Sequence, residues 1–232
     1  MFIGNESPDP GREKHMDITH TGDQPAGFGK NRIEALTDGV YAIAMTLLVL
    51  GVEVPRTMEE SVPAAQLLIS LIPDFFQYIL AFIVLAVLWT FHHEQFHHIR
   101  FIDRHILWLN IFTLMFITMV PFSSSFADTY ITKQLASVFF SANLLIIGLL
   151  IMAQWEHATK DHQLISPQLD PCEILFEKRK NLLIPIIGIC AIGLAFIGFA
   201  WAAGVFYLLP LILFLLHRWH DRICSVPPGI IR

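Results

Sequence analysis

The feature that most constrains this chain is the grouping of its apolar residues into unbroken blocks of membrane length. An α-helix rises about 1.5 Å per residue, so roughly 20 apolar residues cross the hydrocarbon layer of a bilayer. Such blocks run from about Arg32 to Glu53, Ala64 to Phe91, Arg104 to Phe126 and Thr132 to Trp155. A continuous apolar stretch from Leu182 to Leu216 then has room for two short spans, with Ala202, Ala203 and Gly204 as the place to turn back. Asn31 with Glu34 forms the pattern of a capping box opening the first helix, and Pro73 predicts a kink in the second. Only 15% of residues are charged, against about a quarter in an ordinary soluble domain. The fold class expected is therefore all-α: a polytopic membrane protein with six transmembrane helices. Residues 1–30 are expected as a flexible cytoplasmic tail without an apolar signal segment, 31–217 as the six-helix domain and 218–232 as a C-terminal tail.

Charge fixes the expected orientation. With the N-terminus inside, every one of the 15 Lys and Arg residues except Arg56 and Lys133 lies on the inner side, as the positive-inside rule requires. Both termini are then cytoplasmic. A net charge of -5 gives no reason to expect a nucleic-acid partner. Cys172, Cys190 and Cys224 are widely spaced, odd in number and without a metal-binding pattern, which reads as free thiols. No water-accessible cluster of acid, base and nucleophile is visible, so the chain is not expected to be an enzyme or to carry a cofactor.

Ionisable groups inside a span need a partner or a wet surface. Asp38 lies six residues into the first block, about 120° around the helix from Arg32, so Arg32 is a poor partner. The second block arrives at the same side carrying Trp89, His92 and His93, and the third carries Asn110 at the matching depth. A hydrogen-bonded knot of Asp38, Asn110 and one of the two histidines would hold the first helix against the second and third. Direct contact of Asp38 with a permeating ion is the alternative. His93 and His97 stand one turn apart, as helical metal ligands do, but no Cys or carboxylate cluster completes a site, and no metal is expected. A pH-sensing role for this segment is the other reading.

The first block is apolar nearly all round. Ile43, Leu47 and Leu50 fall within about 60° of arc, with Thr46 beside them. Within one chain this stripe is a packing surface. With several copies facing one another it becomes a stack of apolar rings, which gate a channel by excluding water.

Arg32-Ile33-Glu34-Ala35-Leu36-Thr37-Asp38 resembles the Arg-x-x-x-Phe-Ser-Asp signature that opens the first helix of the transmembrane protein 175 family, with Leu36 for Phe and Thr37 for Ser. Trp89-Thr90-Phe91-His92-His93-Glu94-Gln95-Phe96 is similar to the family's Trp-x-x-His-His-x-x-Phe ending of the second helix. Leu109-Asn110 followed by Val120-Pro121-Phe122 resembles its third. The resemblance covers roughly residues 30–125 and implies a prokaryotic, single-repeat potassium channel of the inner (plasma) membrane. It further implies a homotetramer whose four first helices surround the pore. By register, Ile43, Leu47 and Leu50 become the pore constriction, Thr46 a contributor to potassium selectivity, and Arg32 with Asp38 part of the tie to neighbouring helices. Glu53 is placed to form an acidic ring at the outer mouth. The implied partners are potassium ions, the bilayer and three further copies. A proton-coupled cation transporter or a proton-permeable channel is the competing function; mid-span regions almost devoid of polar groups favour a channel over a transporter.

Overall fold

The computed structural model describes residues 29–53, 63–130, 134–160, 164–199 and 201–224. Arg56, Lys133 and nearly all of the expected N-terminal tail lie outside them. Among the described residues six helical segments are long and apolar enough to cross a membrane: Lys30–Gly51, Ile72–His98, Arg104–Thr129, Gln134–Thr159, Pro171–Phe196 and Ala202–His220.

The first span is α1 (Lys30–Leu47), tightened at its end into a 3-10 turn at Leu48–Gly51. Its N-cap is Gly29, without a side-chain cap bond. The capping box does not form, because the helix begins early enough to place Asn31 inside its first turn. Glu34 instead faces Lys30, 3.7 Å away.

A short α2 (Ala64–Ser70) ends at Leu71, and α3 (Ile72–His98) is the second span. Pro73 does not kink a long helix. It sits in the first turn of α3, where its missing N–H has no helical partner to lose. The third span is α4 (Arg104–Thr118) and α5 (Val120–Thr129), interrupted at Met119 because Pro121 opens α5 in the same way. Asp103 caps α4, its Oδ1 accepting the Ile106 N–H at 2.8 Å. Partial burial works against ionisation of this carboxyl. The Ile106 hydrogen bond, the bond to His157 and the neighbouring charges of His157 and His105 outweigh it and hold the group below its usual range.

The fourth span is α6 (Gln134–Thr159). The fifth joins α7 (Pro171–Asn181) to α8 (Leu183–Phe196), so it starts before the apolar stretch that announced it. Glu173, Glu177 and Lys180, expected in a loop, belong to the span. The reversal falls not at Ala202–Gly204 but at Gly198, whose φ of 83° glycine adopts without the steric cost of a side chain. Residues Ala202–Leu208 already form a returning 3-10 segment, continued by α9 (Leu209–Cys224). Cys190 is free, but Cys172 is disulfide-bonded, which corrects the free thiol expected there. Linear spacing carries no record of that pairing.

The fourth span stands at the centre, with α8, α4 and α5 packed along it. Phe140, Leu144, Ile147 and Ile151 of α6 meet Leu80, Val84 and Leu88 of α3 and Ile184 and Ile187 of α8 in the main core. Lipid tails are as apolar as these side chains, so close packing rather than water exclusion holds such helices together. Gly148 permits a close approach of α6 and α8. A Cβ there would stand 2.7 Å from Ile184 Cγ2 and 2.8 Å from Pro185 Cδ. Gly148→Ala is expected to destabilise the bundle by about 1–3 kcal/mol through overpacking, read as a lower Tm of the detergent-solubilised protein.

Candidate functional site

The first helix has two contrasting faces. Ile33, Thr37, Tyr41, Ala44 and Leu48 recur every three or four residues and are buried against the bundle. On the other side Ile43 is 60% exposed, Leu47 44% and Leu50 69%, and Thr46 is also exposed. The Thr46 hydroxyl donates to the Ile43 carbonyl at 2.8 Å, which leaves its oxygen lone pairs outward. Ala35, Gly39 and Ala42 share this exposed side, and a Cβ added at Gly39 would meet nothing within 4 Å. Glu53 is exposed just beyond the span.

The buried face is tied down near its start. The indole Nε1–H of Trp89 donates to Asp38 Oδ1 at 2.9 Å, and the ring of His93 stacks on Trp89 with centroids 5.4 Å apart. Beside this bond, buried Asn110 donates from Nδ2 to Thr37 Oγ1 at 3.0 Å, while its Oδ1 lies 3.0 Å from His92 Nε2. A side-chain carbonyl has no hydrogen to give, so His92 must present its Nε2–H there. The knot joining α1, α3 and α4 therefore exists as two adjacent branches. Thr37, not Asp38, meets Asn110, and Asp38 is taken by Trp89. Helical rotation explains the exchange, since Thr37 points into the bundle and Asp38, 100° further round, lies at its edge. Arg32 is exposed and makes no ion pair among the described residues.

The belt continues inward through residues that the sequence did not single out. Gln154 of α6 donates to Thr113 Oγ1 at 2.8 Å, one turn beyond Asn110, and Gln95 of α3 donates to the Ile151 carbonyl at 3.3 Å. Replacing Asn110 with near-isosteric Leu removes both of its bonds. Interhelical bonds in membranes average about 0.6 kcal/mol each, so a loss of about 1–2 kcal/mol is expected in reversible unfolding, including the cost of an unpaired His92.

The histidine segment also borders a second region. His93, Glu94, His97 and His98 line a cavity of about 370 Å³ together with Glu173 and His217. Behind it Lys180, fully buried, is ion-paired to both Glu94 and Glu177 and lies 5.2 Å from the ring centre of Phe91.

Fold and site together define a polytopic α-helical membrane protein whose first helix is anchored along one face and bare along the other. The family model described as "Endosomal/lysosomal potassium channel TMEM175" matches residues 32–121, the stretch that holds this anchor. A protein of Chamaesiphon minutus described as a potassium channel is 30% identical over 182 residues, covering 77% of this chain and 90% of its own. The crystal structure of a lysosomal potassium-selective channel TMEM175 homolog from Chamaesiphon minutus superposes with a TM-score of 0.70 at 29% identity, covering 80% of this chain and 96% of that one. The Mus musculus protein described as an endosomal/lysosomal proton channel TMEM175 is 34% identical over 108 residues, 43% of this chain and 21% of its own length. The chain belongs to the TMEM175 family; it is an ion-channel protein and not an enzyme.

Proposed function

We propose that the chain conducts potassium passively through a pore lined by the first helices of four copies. The observation that carries this reading is the bare face of α1, where Ile43, Leu47 and Leu50 stand out from a helix whose opposite face, Ile33, Thr37, Tyr41 and Ala44, is buried against the bundle. Lipid would suit the large side chains alone. Small residues are characteristic of helix–helix contact in membranes, and Ala35, Gly39 and Ala42 on the same side suit neighbouring helices better than lipid. Around a fourfold axis the large side chains stack into apolar rings, the constriction. Thr46 contributes an oxygen between them for selectivity, and Glu53 forms an acidic ring at the outer mouth that concentrates cations. Asp38, Trp89, His92, His93 and Asn110 hold the helix in register, with Arg32 at its entry, and do not touch the ion. The protein sits in the inner (plasma) membrane with both termini cytoplasmic, the side favoured by its Lys and Arg distribution.

Proton permeation is the second reading, motivated by the proton-channel description of the murine relative. Flux from proteoliposomes separates the two. Purified protein in potassium-loaded vesicles is expected to release potassium down its gradient, more slowly release sodium, and ignore an imposed pH difference. Vesicle acidification without potassium release favours the proton channel, and release that requires an opposing proton gradient favours a coupled transporter.

A further inference from the structure

At the end of the bundle where α1 begins, three side chains from two separate segments converge. Asp103 lies in the link between the second and third spans, His105 in the first turn of α4, and His157 near the end of α6. Asp103 Oδ2 is 2.8 Å from His157 Nε2 and 3.5 Å from His105 Nδ1, and the two imidazole centroids are 5.0 Å apart. Among the described residues this is the one cluster in which three His, Cys, Asp or Glu side chains each bring a ligand atom within 4.8 Å of the others.

We infer that Asp103, His105 and His157 form a binding site for a divalent transition-metal ion of the zinc type.

Four donors around a tetrahedral zinc at about 2.0–2.1 Å stand roughly 3.3 Å from one another, and the separations of Asp103 Oδ2 from the two ring nitrogens, 2.8 and 3.5 Å, bracket that value. Two imidazoles with one carboxylate form a borderline donor set that suits zinc, cobalt or nickel better than the oxygen-seeking calcium or magnesium. Asp103 is pre-oriented, because its other oxygen is held by the Ile106 N–H. An outer hydrogen bond that fixes a metal ligand is the usual support for such sites. The carboxylate's one negative charge offsets half of the ion's, and water completes the coordination. His105 is 77% exposed, so the site opens outward and exchanges its ion freely. When occupied, it ties the start of α4 to the end of α6, two turns from the Asn110 that holds the first helix.

No local motif announces this cluster, because His157 is 54 residues from Asp103.

Isothermal titration of the purified full chain with zinc, and cobalt absorption in the visible region, test the assignment. One ion per chain is expected at the tightest class of sites, with a higher Tm when bound. His105→Ala and His157→Ala should each weaken that class by more than the ~10–100-fold that loss of an outer supporting bond costs, while His93→Ala/His97→Ala leaves it intact. Exposed His105 can be replaced without disturbing the core, so that variant decides the matter if His157→Ala does not fold. Unchanged zinc affinity in His105→Ala, loss of binding in His93→Ala/His97→Ala, or no binding by the unmodified chain overturns the site.

Discussion

Leu47→Ser is expected to raise potassium flux at least about tenfold over the unmodified protein, equivalent to lowering the barrier by about 1.4 kcal/mol. A narrow apolar ring resists ions because water leaves it and the ion must shed part of its hydration shell. A hydroxyl at that level offers water a partner, and the shorter side chain widens the passage. In the proposed tetramer one substitution alters all four walls, which multiplies the change. Ile43→Ser should act in the same direction. Both residues are exposed in the single chain, at 60% and 44% for Ile43 and Leu47, so neither change opens a cavity in the core. Initial efflux rates normalised to reconstituted protein, or single-channel conductance in planar bilayers, provide the readout. Equal rates for all three proteins would remove both residues from the pore wall.

Lys180→Met is expected to be the most damaging substitution to the fold. Lys180 is completely buried and is, among the described residues, the one cation paired with both Glu177, itself 2% exposed, and Glu94. Methionine keeps most of the length and leaves two carboxylates facing each other without a cation. Breaking a buried ion pair in this way costs about 3–5 kcal/mol, and poor yield or a sharply lowered Tm should follow. The partner variant makes the argument specific. Adding Glu177→Leu removes the charge most deeply stranded, and the double variant should recover much of the loss, because apolar replacement of a whole buried pair is often neutral. A single Lys180→Met that melts like the parent would mean the pairing carries no stability.

The apolar blocks announced the six spans because hydrocarbon demands that every backbone bond be closed internally, and an apolar block of about 20 residues closes them as a helix. Short motifs likewise placed Asp38, Trp89, His92 and Asn110 close together. The details of the anchor were less legible. Thr37 and Asp38 are adjacent in sequence, and only the rotation set by tertiary packing decides which meets Asn110. Pro73 and Pro121 illustrate a second limit, since proline opens a helix as readily as it bends one, and the choice depends on where the preceding segment ends. The start of the fifth span was concealed by the charges of Glu173, Glu177 and Lys180. They read as loop residues until Glu94 from the second span is seen to share Lys180. Such compensation is a property of the folded bundle and leaves no local mark. The bare face of α1 was visible as a stripe, but the partner proposed for it, another copy of the same chain, is something no single sequence displays.

If the exposed face of the first helix lines the pore, cysteines placed on it are accessible from the conducting path. In a Cys190→Ser background, which removes the exposed free thiol found among the described residues, single cysteines are placed at Leu50, Leu47 and Thr46, with Ile189 of α8 as an exposed site away from α1. A charged, membrane-impermeant thiol reagent added to proteoliposomes is expected to block potassium flux through the Leu50→Cys protein, and through the deeper two more slowly, while Ile189→Cys conducts unchanged. Full flux through modified Leu50→Cys, or equal block at Ile189→Cys, would contradict a pore lined by the first helix.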